Sequence, residues 1–343
     1  MTARVALIGY GLAGAVFHAP LIAAEPGLQL AGIVTSDEGR RAQARHEHPD
    51  AELLASADDV WAARERFDLV VVAAPNRAHV PLARGAVAAG LPVVVDKPLA
   101  ATADEARAVV AEAVAAGVPL TVFQNRRWDG DLLTVQRLLA SGELGAVHRF
   151  ESRFERWRPQ PKAGWRELAD PAEGGGVLLD LGSHLVDQAL LLFGPATHVY
   201  AELDVRRAAA RVEDDAFVAI THGSGVRSHL WMSAVAPHLG PRMRVLGERA
   251  AYVKEGLDGQ ENALRDGGSP AGDPEWGAGG PGLLVAGEDV RSVETERGAY
   301  PRFYAQVAAA VRGEAPMPVD PRDAVRALTV LDLARRSARM PAR

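Results

Sequence analysis

The chain reads as an α/β protein continued by an α+β one: an N-terminal doubly wound parallel sheet, then a domain built on a large open mixed or antiparallel sheet. Three observations predict this. A short apolar strand, Val5-Ala6-Leu7-Ile8, runs straight into a glycine-rich turn and a helix. Apolar strand runs then alternate with helical stretches as far as Phe123, the pattern of parallel strands joined by right-handed crossovers. Beyond Val147, strand-like runs follow one another without helices between them, as an antiparallel or mixed sheet requires. At 343 residues the chain is too long for a typical single domain, and we divide it into residues 1–125 and 126–343.

The first strand is followed by Gly9-Tyr10-Gly11-Leu12-Ala13-Gly14, a G-x-G-x-x-G. The three glycines act differently. Gly9 makes the tight turn, Gly11 lets a pyrophosphate approach the backbone, and Gly14 lets helix and strand pack closely. The helix that follows offers free N–H groups and the positive end of its dipole to phosphates. Strand, turn and helix together give the motif its specificity as a dinucleotide site of the Rossmann kind. The helix spans Ala15 to Ala24, and Pro20 is expected to break or kink it. Phe17 and His18 lie just before that proline, either packed or facing the cofactor's nicotinamide end.

The second strand is Leu28 to Val34, and its end bears on the cofactor. An acid there would hold the ribose 2′-hydroxyl of NAD, whereas small polar residues with a nearby arginine favour the 2′-phosphate of NADP. Thr35 and Ser36 can bond a phosphate and Arg40 or Arg41 can neutralise it, so the reading leans to NADP; Asp37 keeps NAD open. The next strand runs from Phe67 to Ala74 and ends at Pro75-Asn76, with His79 opening a helix. Leu12, Ala74, Pro75, Asn76 and His79 are further candidate cofactor contacts. Val93-Val94-Val95 runs into Asp96-Lys97-Pro98, a buried strand that stops where its polar residues begin, so Lys97 stands where a ligand of such a sheet would bind. Thr102 to Glu105 has the spacing of a capping box, and the helix it starts ends at Gly117. A last strand, Pro119 to Phe123, leads to Gln124-Asn125-Arg126-Arg127-Trp128-Asp129.

A helix then runs from Asp131 to Leu139, a strand from Val147 to Trp157, and a loop from Arg156 to Glu167. Gly174-Gly175-Gly176 opens a helix over Val177 to Phe193 carrying Asp180 and His184. Four residues apart, these two share a face. A carboxylate one turn from a histidine can fix its tautomer and raise its basicity, as a general base needs. Strand runs follow at Thr197–Val205, Ala216–Thr221, Arg227–Ser233 and Arg242–Val253. An extended glycine- and proline-rich loop covers Gly256 to Gly282, and helices cover Tyr300–Arg312 and Asp320–Arg339.

Bulk composition excludes several function classes. A formal charge of −6 leaves no basic surplus for nucleic acid. The absence of cysteine rules out disulfides and thiolate metal sites and suits a cytoplasmic protein. No apolar run approaches a membrane span, and Met1-Thr2-Ala3-Arg4 lacks a signal-peptide layout. His46-Glu47-His48 has no partner cluster, sits in a loop-like stretch and reads as solvated surface, so no metal site is expected.

Taken together, the G-x-G-x-x-G at Gly9, the Asp96-Lys97-Pro98 strand end, and Gly174-Gly175-Gly176 with Asp180 and His184 resemble the Gfo/Idh/MocA oxidoreductases over essentially the whole chain. Gly9 to Leu12, Val16 to Pro20, Asn125 to Asp129, Asp180 to His184, and Gly259-Gln260-Glu261 through Trp276-Gly277 are similar to the NADP-dependent scyllo-inositol dehydrogenase branch. The resemblance implies a Rossmann domain, a second domain whose outer sheet face joins subunits into a homodimer or homotetramer, and a last helix that packs back on the first domain. Lys97 matches a lysine that contacts both the cofactor and the reacting hydroxyl. Asp180 and His184 match the acid and histidine of the catalytic helix, and Asn125, Arg127, Trp128 and Asp129 match a segment near the substrate. The family usually has glutamate where this chain has Asp96. The expected function is NADP-dependent hydride transfer between a polyol, an inositol such as scyllo-inositol foremost, and its ketone. Alternatives are another sugar or anhydro-sugar dehydrogenase or reductase, or a non-catalytic NADP-binding regulator.

Overall fold

The computed structural model describes residues 2–161 and 175–338. The first sheet holds β1 (Ala3–Ile8), β2 (Leu28–Val34), β3 (Glu52–Leu54), β4 (Leu69–Val72), β5 (Val93–Asp96) and β6 (Leu120–Phe123). Their order is β3-β2-β1-β4-β5-β6 and every pairing is parallel. The order reverses between β1 and β4, which opens a crevice beyond the carboxyl ends of those strands. Val5 and Leu7 face one side, Ala6 and Ile8 the other, and all four are buried. Burial on both faces is why these strands read as unbroken apolar runs.

Among the connections, the glycine turn feeds a π-helical stretch, Ala13–His18, that runs directly into α1 (Ala19–Ala23). Pro20 was expected to break or kink this helix, and the chain stays helical through it. The proline occupies the first turn of α1, where a missing N–H costs little, and the wider winding ahead of it bonds the Ala19 N–H to the Gly14 carbonyl. Between residues 35 and 67, where the sequence suggested no element, lie α2 (Glu38–Glu47), β3 and α3 (Ala57–Ala62). His46 and Glu47 thus end a helix rather than sit in a loop, and Glu47 accepts a 2.6 Å bond from the Tyr10 hydroxyl. Among the described residues no three His, Asp or Glu side chains converge as a metal site would need. α4 (His79–Ala88) and α5 (Ala103–Ala116) complete the layer; α5 starts with the Thr102–Glu105 capping box and stops at Gly117, whose φ is 65°.

α6 (Gly130–Ser141) leads into the second sheet, made of β7 (Val147–Glu155), β8 (Ala196–Asp204), β9 (Asp215–His222), β10 (Arg227–Ser233), β11 (Met243–Gly247), β12 (Ala251–Lys254), β13 (Gly282–Ala286) and β14 (Asp289–Val293). The order is β14-β13-β12-β11-β7-β10-β9-β8; only β7 and β10 pair in parallel. The run Arg242 to Val253, read as one strand, is a hairpin closed by the Gly247 N–H on the Ala250 carbonyl (3.0 Å). β13 and β14 were not anticipated. The supposed loop from Gly256 to Gly282 carries α9 (Gln260–Arg265), started by the Asp258 carboxylate accepting the Gln260 N–H (2.8 Å). The helix expected over Val177 to Phe193 is two: α7 (Val177–Asp180) and α8 (Gly182–Phe193). Gly174, and the loop reading from residue 162 to 167, lie outside the described residues.

The last helices tie the halves together. α10 (Pro301–Val311) buries Phe303, Tyr304 and Val307 in the same core as Val5, Leu7 and Val71. α11 (Pro321–Ala338) packs against α5 and β6 on one side and against β8 and α8 on the other. Asp332 accepts the Ala103 N–H at 2.9 Å, pinning α11 to the start of α5. One continuous core runs from Val93 and Val95 through Leu328 and Leu331 to Leu185, Leu230 and Met232. No described helix is long and apolar enough to cross a membrane.

Leu331, 1% exposed, lies in this shared core and would contact any Cβ added at Gly182 of α8. Leu331→Ala should lower the unfolding free energy by about 2–5 kcal/mol. Urea unfolding followed by tryptophan fluorescence checks this; a loss below about 1 kcal/mol would show that α11 is not part of the cooperative core.

Candidate active site

Four strand ends meet at one edge of the first sheet. β1 delivers the glycine turn, β4 delivers Ala74-Pro75-Asn76, β5 delivers Asp96 and Lys97, and β6 delivers Asn125. α7 and α8 of the second domain close over this edge. The cavity between has a volume of about 600 Å³, bordered by Leu12, Phe17, Lys97, Asn125, Asp180 and His184 among others.

The turn at its mouth is shaped for a dinucleotide. Gly9 has φ 102°, and a Cβ there would come within 2.5 Å of the Ala73 carbonyl oxygen. A Cβ on Gly14 would meet the Gly9 carbonyl oxygen at 2.0 Å, so only glycine allows helix and turn to pack. A Cβ added at Gly11 would meet, among the described residues, just the Arg40 guanidinium, at 3.7 Å, which leaves the backbone open to a ligand. The first N–H groups of the following helix have no intrahelical partner and suit a pyrophosphate.

At the end of β2, Thr35 is buried and Ser36 is exposed. Asp37, the residue that kept NAD open, caps α2 by accepting the Arg40 N–H at 2.8 Å. Arg41 donates to the Thr35 and Leu54 carbonyls (3.1 and 3.3 Å), so its guanidinium braces the backbone. Arg40 lies beside the glycine turn and is exposed. His79 is fully buried, with Nδ1 2.7 Å from the Pro98 carbonyl and Nε2 2.8 Å from the Ala74 carbonyl. Both of its nitrogens are committed to the framework, and it holds the β4 and β5 loops rather than facing the cavity. Asn76 is buried in the short helical turn that precedes α4.

Lys97 is the centre of the site. Its Nζ donates to the Asp180 carboxylate at 3.0 Å and to the Asp180 backbone carbonyl at 2.7 Å. In an unbroken helix that carbonyl would accept the His184 N–H. Instead the His184 N–H turns to the Leu181 carbonyl at 3.2 Å, and the Asp180 carbonyl is released to the lysine. This is why the expected helix divides at Leu181. The break also separates the pair that the i, i+4 spacing placed together: the Asp180 carboxylate meets Lys97, and no hydrogen bond joins it to His184. His184 Nδ1 is buried without a partner, and the ring leans on Phe154 with centroids 6.4 Å apart. Burial, then the charges of Lys97, Arg126, Arg242 and Arg156, pushes His184 well below the usual histidine pKa, so it rests as neutral imidazole.

Asp96 accepts the Lys97 N–H at 2.9 Å. Its other neighbour is His18, whose Nε2 stands 3.7 Å from Asp96 Oδ1, beyond hydrogen-bond reach, while His18 Nδ1 lies 2.6 Å from the Tyr304 hydroxyl. The shorter acid therefore leaves a gap to the histidine. Burial raises the Asp96 pKa, but His18, Lys97 and His79 outweigh it and hold the group below the usual carboxylate range. His18 is packed in the core, and Phe17 borders the cavity.

Three residues expected near the substrate lie behind the wall. Arg127 makes a two-pronged pair with Asp187 (2.8 and 2.6 Å) and reaches Asp323 at 3.1 Å, joining α8 to α11. Trp128 is buried edge-on against Phe303, at 5.6 Å. Asp129 is fully buried between Arg126 (3.1 Å) and the Tyr300 hydroxyl (2.7 Å), and burial raises its pKa to about 7. The cavity instead takes their neighbour Arg126, whose guanidinium lies 4.6 Å from the centre of the Phe154 ring and also pairs with Glu261. Phe154, Arg156, Arg158 and Glu261 join it on the wall. Sequence reasoning did not single these out; the charged run Arg153 to Arg158 was the available signal, but strand periodicity alone does not show which face meets the first domain.

Comparison with known proteins agrees with this geometry. Residues 3–124 match the oxidoreductase family with an NAD-binding Rossmann fold, and residues 132–253 match the GFO/IDH/MocA C-terminal domain. The chain is 40% identical to the uncharacterized oxidoreductase YdgJ of Escherichia coli, covering 98% of this chain and 96% of that protein. It is 33% identical to the scyllo-inositol 2-dehydrogenase (NADP(+)) IolW of Bacillus subtilis, covering 98% and 94%. Among solved structures, the yvaA protein of Bacillus subtilis superposes with a TM-score of 0.91 at 32% identity, covering 98% of this chain and 97% of that one. The YPO2259 protein of Yersinia pestis does so with a TM-score of 0.91 at 36% identity, covering 100% and 98%. With both halves matched and the Rossmann crevice facing Lys97, Asp180 and His184, the chain belongs to the Gfo/Idh/MocA family of oxidoreductases.

Proposed function

We propose that this enzyme interconverts a polyol and its ketone by hydride transfer with NADP, an inositol being the first substrate to try. The observation that carries the reading is Lys97 at the end of β5, held by Asp180 across the domain boundary and facing the same cavity as His184. Residues 1–125 would serve the cofactor and 126–343 the substrate. The similarity to IolW, by its name an NADP-dependent scyllo-inositol dehydrogenase, supports the substrate class.

When bound, the nicotinamide would supply the hydride acceptor or donor. The chain's own groups handle the proton and the charge. Lys97 spends two of its three N–H donors on Asp180, leaving one for the substrate oxygen, where it would stabilise developing alkoxide. His184, kept neutral by its surroundings, takes the hydroxyl proton on oxidation and returns it on reduction. Asp180 acts through Lys97, fixing the ammonium's position and charge, rather than through His184.

Preference for NADP rests on Arg40, whose guanidinium lies beside the glycine turn, and on Asp37 being occupied as a helix cap. The outer face of the second sheet carries Phe217, His229 and Trp231 in mutual contact, with Arg153 stacked 4.0 Å from the Trp231 ring, and we take it as the surface that joins subunits. Analytical ultracentrifugation of the full chain should find a dimer or tetramer; a monomer at micromolar concentration would remove this assignment.

Initial rates read by nicotinamide absorbance, with NAD and NADP against inositols and common sugars, test the reaction. Lys97→Ala should keep cofactor affinity and lose about 10²–10⁴-fold in kcat, as should His184→Asn. Because the imidazole is held below its usual range, the acid limb of kcat/KM should fall below about pH 6.5 in the wild type and vanish in His184→Asn. Full turnover in Lys97→Ala would sink the assignment.

Arg40→Ala should raise the KM for NADP by about 10- to 100-fold and leave the KM for NAD within about threefold, as expected for loss of one charge-assisted phosphate contact. Equal effects on both cofactors would remove the NADP preference.

A further inference from the structure

The cavity wall carries cations and acids in near balance, Glu213 and Asp258 among the acids, yet two of its guanidinium groups are paired with none of the described acids. Lys97 is paired with Asp180, and Arg126 and Arg265 share Glu261. Arg207 is held by buried Asp214 at 2.8 Å. Arg156 and Arg158 also border the cavity, and neither side chain makes an ion pair with any described residue. Arg156 is largely shielded from solvent, and its guanidinium rests 4.7 Å from the centre of the Phe154 ring, the ring that also touches His184. Burial and the neighbouring charge of Arg158 lower its pKa and outweigh the more distant Asp180 and Glu261, neither of which pairs with it directly.

The two side chains stand on rigid backbone. Where β7 runs out, the Arg156 N–H bonds the Ser233 carbonyl and its own carbonyl takes the Ala236 N–H (2.8 and 3.1 Å). The Arg158 N–H bonds the Ala234 carbonyl at 2.8 Å, and the Arg158 carbonyl accepts from Arg207 at 3.1 Å. The Arg207–Asp214 pair thus braces the strand extension that presents both guanidinium groups. An uncompensated buried cation is costly, and that cost is offset when an anion arrives. The cofactor's phosphates would bind elsewhere, at the glycine turn and the end of β2, on the opposite domain. Residues two apart on extended backbone share a face, and each guanidinium presents a planar fork that matches the paired oxygens of a carboxylate or phosphate.

We propose that Arg156 and Arg158 form an anion subsite for the end of the substrate remote from the reacting hydroxyl, so that the preferred substrate is a sugar or polyol bearing a carboxylate or a phosphate. The inference rests on the oxidoreductase reading for its reacting end, but the subsite can be tested without turnover.

The experiment is calorimetric titration of the full chain saturated with NADP, using D-gluconate, inorganic phosphate and neutral D-glucitol as probes. At least one of the two anions should bind saturably and about tenfold more tightly than glucitol, and the tighter of the two tells carboxylate from phosphate. Arg156→Gln should weaken that anion by about 10- to 100-fold, with Arg156→Lys intermediate, as for a charge-assisted contact. Unchanged circular dichroism and NADP affinity in both variants would show that the fold is intact. Anions no tighter than glucitol, or an unchanged affinity in Arg156→Gln, would overturn the proposal. Anion binding that is lost in Arg156→Gln while no polyol, sugar or sugar acid is turned over would uphold the subsite and defeat the reaction reading instead.

Discussion

One lysine bonding one backbone carbonyl sets the geometry of this site. Lys97 reaches from the first sheet to the second domain and takes the Asp180 carbonyl out of its helix ladder. A backbone acceptor buried without a donor is expensive, so diverting it requires a replacement, and the ammonium supplies one. The consequence is a helix interrupted at Leu181, with Asp180 on the lysine and His184 turned toward Phe154. The bond is also a clamp across the domain boundary, made at the point where cofactor and substrate would meet.

Around this contact the protein separates support from contact. Arg127 is paired with Asp187 and Asp323, Trp128 packs on Phe303, and Asp129 meets Tyr300; together they form a buried frame that does not border the cavity. His79 does the same for the β4 and β5 loops through two carbonyls. Among the groups that border the cavity, several keep bonding capacity in reserve: the third donor of Lys97, the imidazole of His184, and the guanidinium groups of Arg156 and Arg158. Such a division suits a site that must hold reacting atoms closely while keeping its own groups from collapsing onto each other.

The electrostatics follow the same plan. Burial first, and then four neighbouring cations with no paired acid, keep His184 neutral. Asp96, one methylene shorter than a glutamate, accepts the Lys97 N–H and keeps its charge beside His18, Lys97 and His79, with His18 standing 3.7 Å away. The field inside the cavity is therefore positive near the imidazole and favours both negative charge developing on a substrate oxygen and a substrate that arrives already charged.

Local chemistry was enough to determine a good deal. The glycine turn at Gly9, the strand ends at Val34 and Asp96, the capping box at Thr102 and the last two helices are set by periodicity and by residues whose backbone preferences act within a few positions, while the strand expected from Phe67 to Ala74 is shortened to Leu69–Val72. Lys97, Asp180 and His184 were all visible as candidates for the same reason. Tertiary structure decided what those candidates touch. The i, i+4 spacing of Asp180 and His184 promised a pair only if the helix continued, and a lysine 83 residues away removed the carbonyl on which that continuation depends. Likewise Arg126, not Arg127, reached the cavity, because the short helical turn after β6 aims neighbouring side chains in opposite directions. Arg156 and Arg158 acquired meaning only when strand β7 was laid parallel to β10 with its end at the domain boundary. Spacing along a chain specifies which residues share an element; which of them meet across elements is set by long-range packing and by competition for a limited number of hydrogen-bond partners.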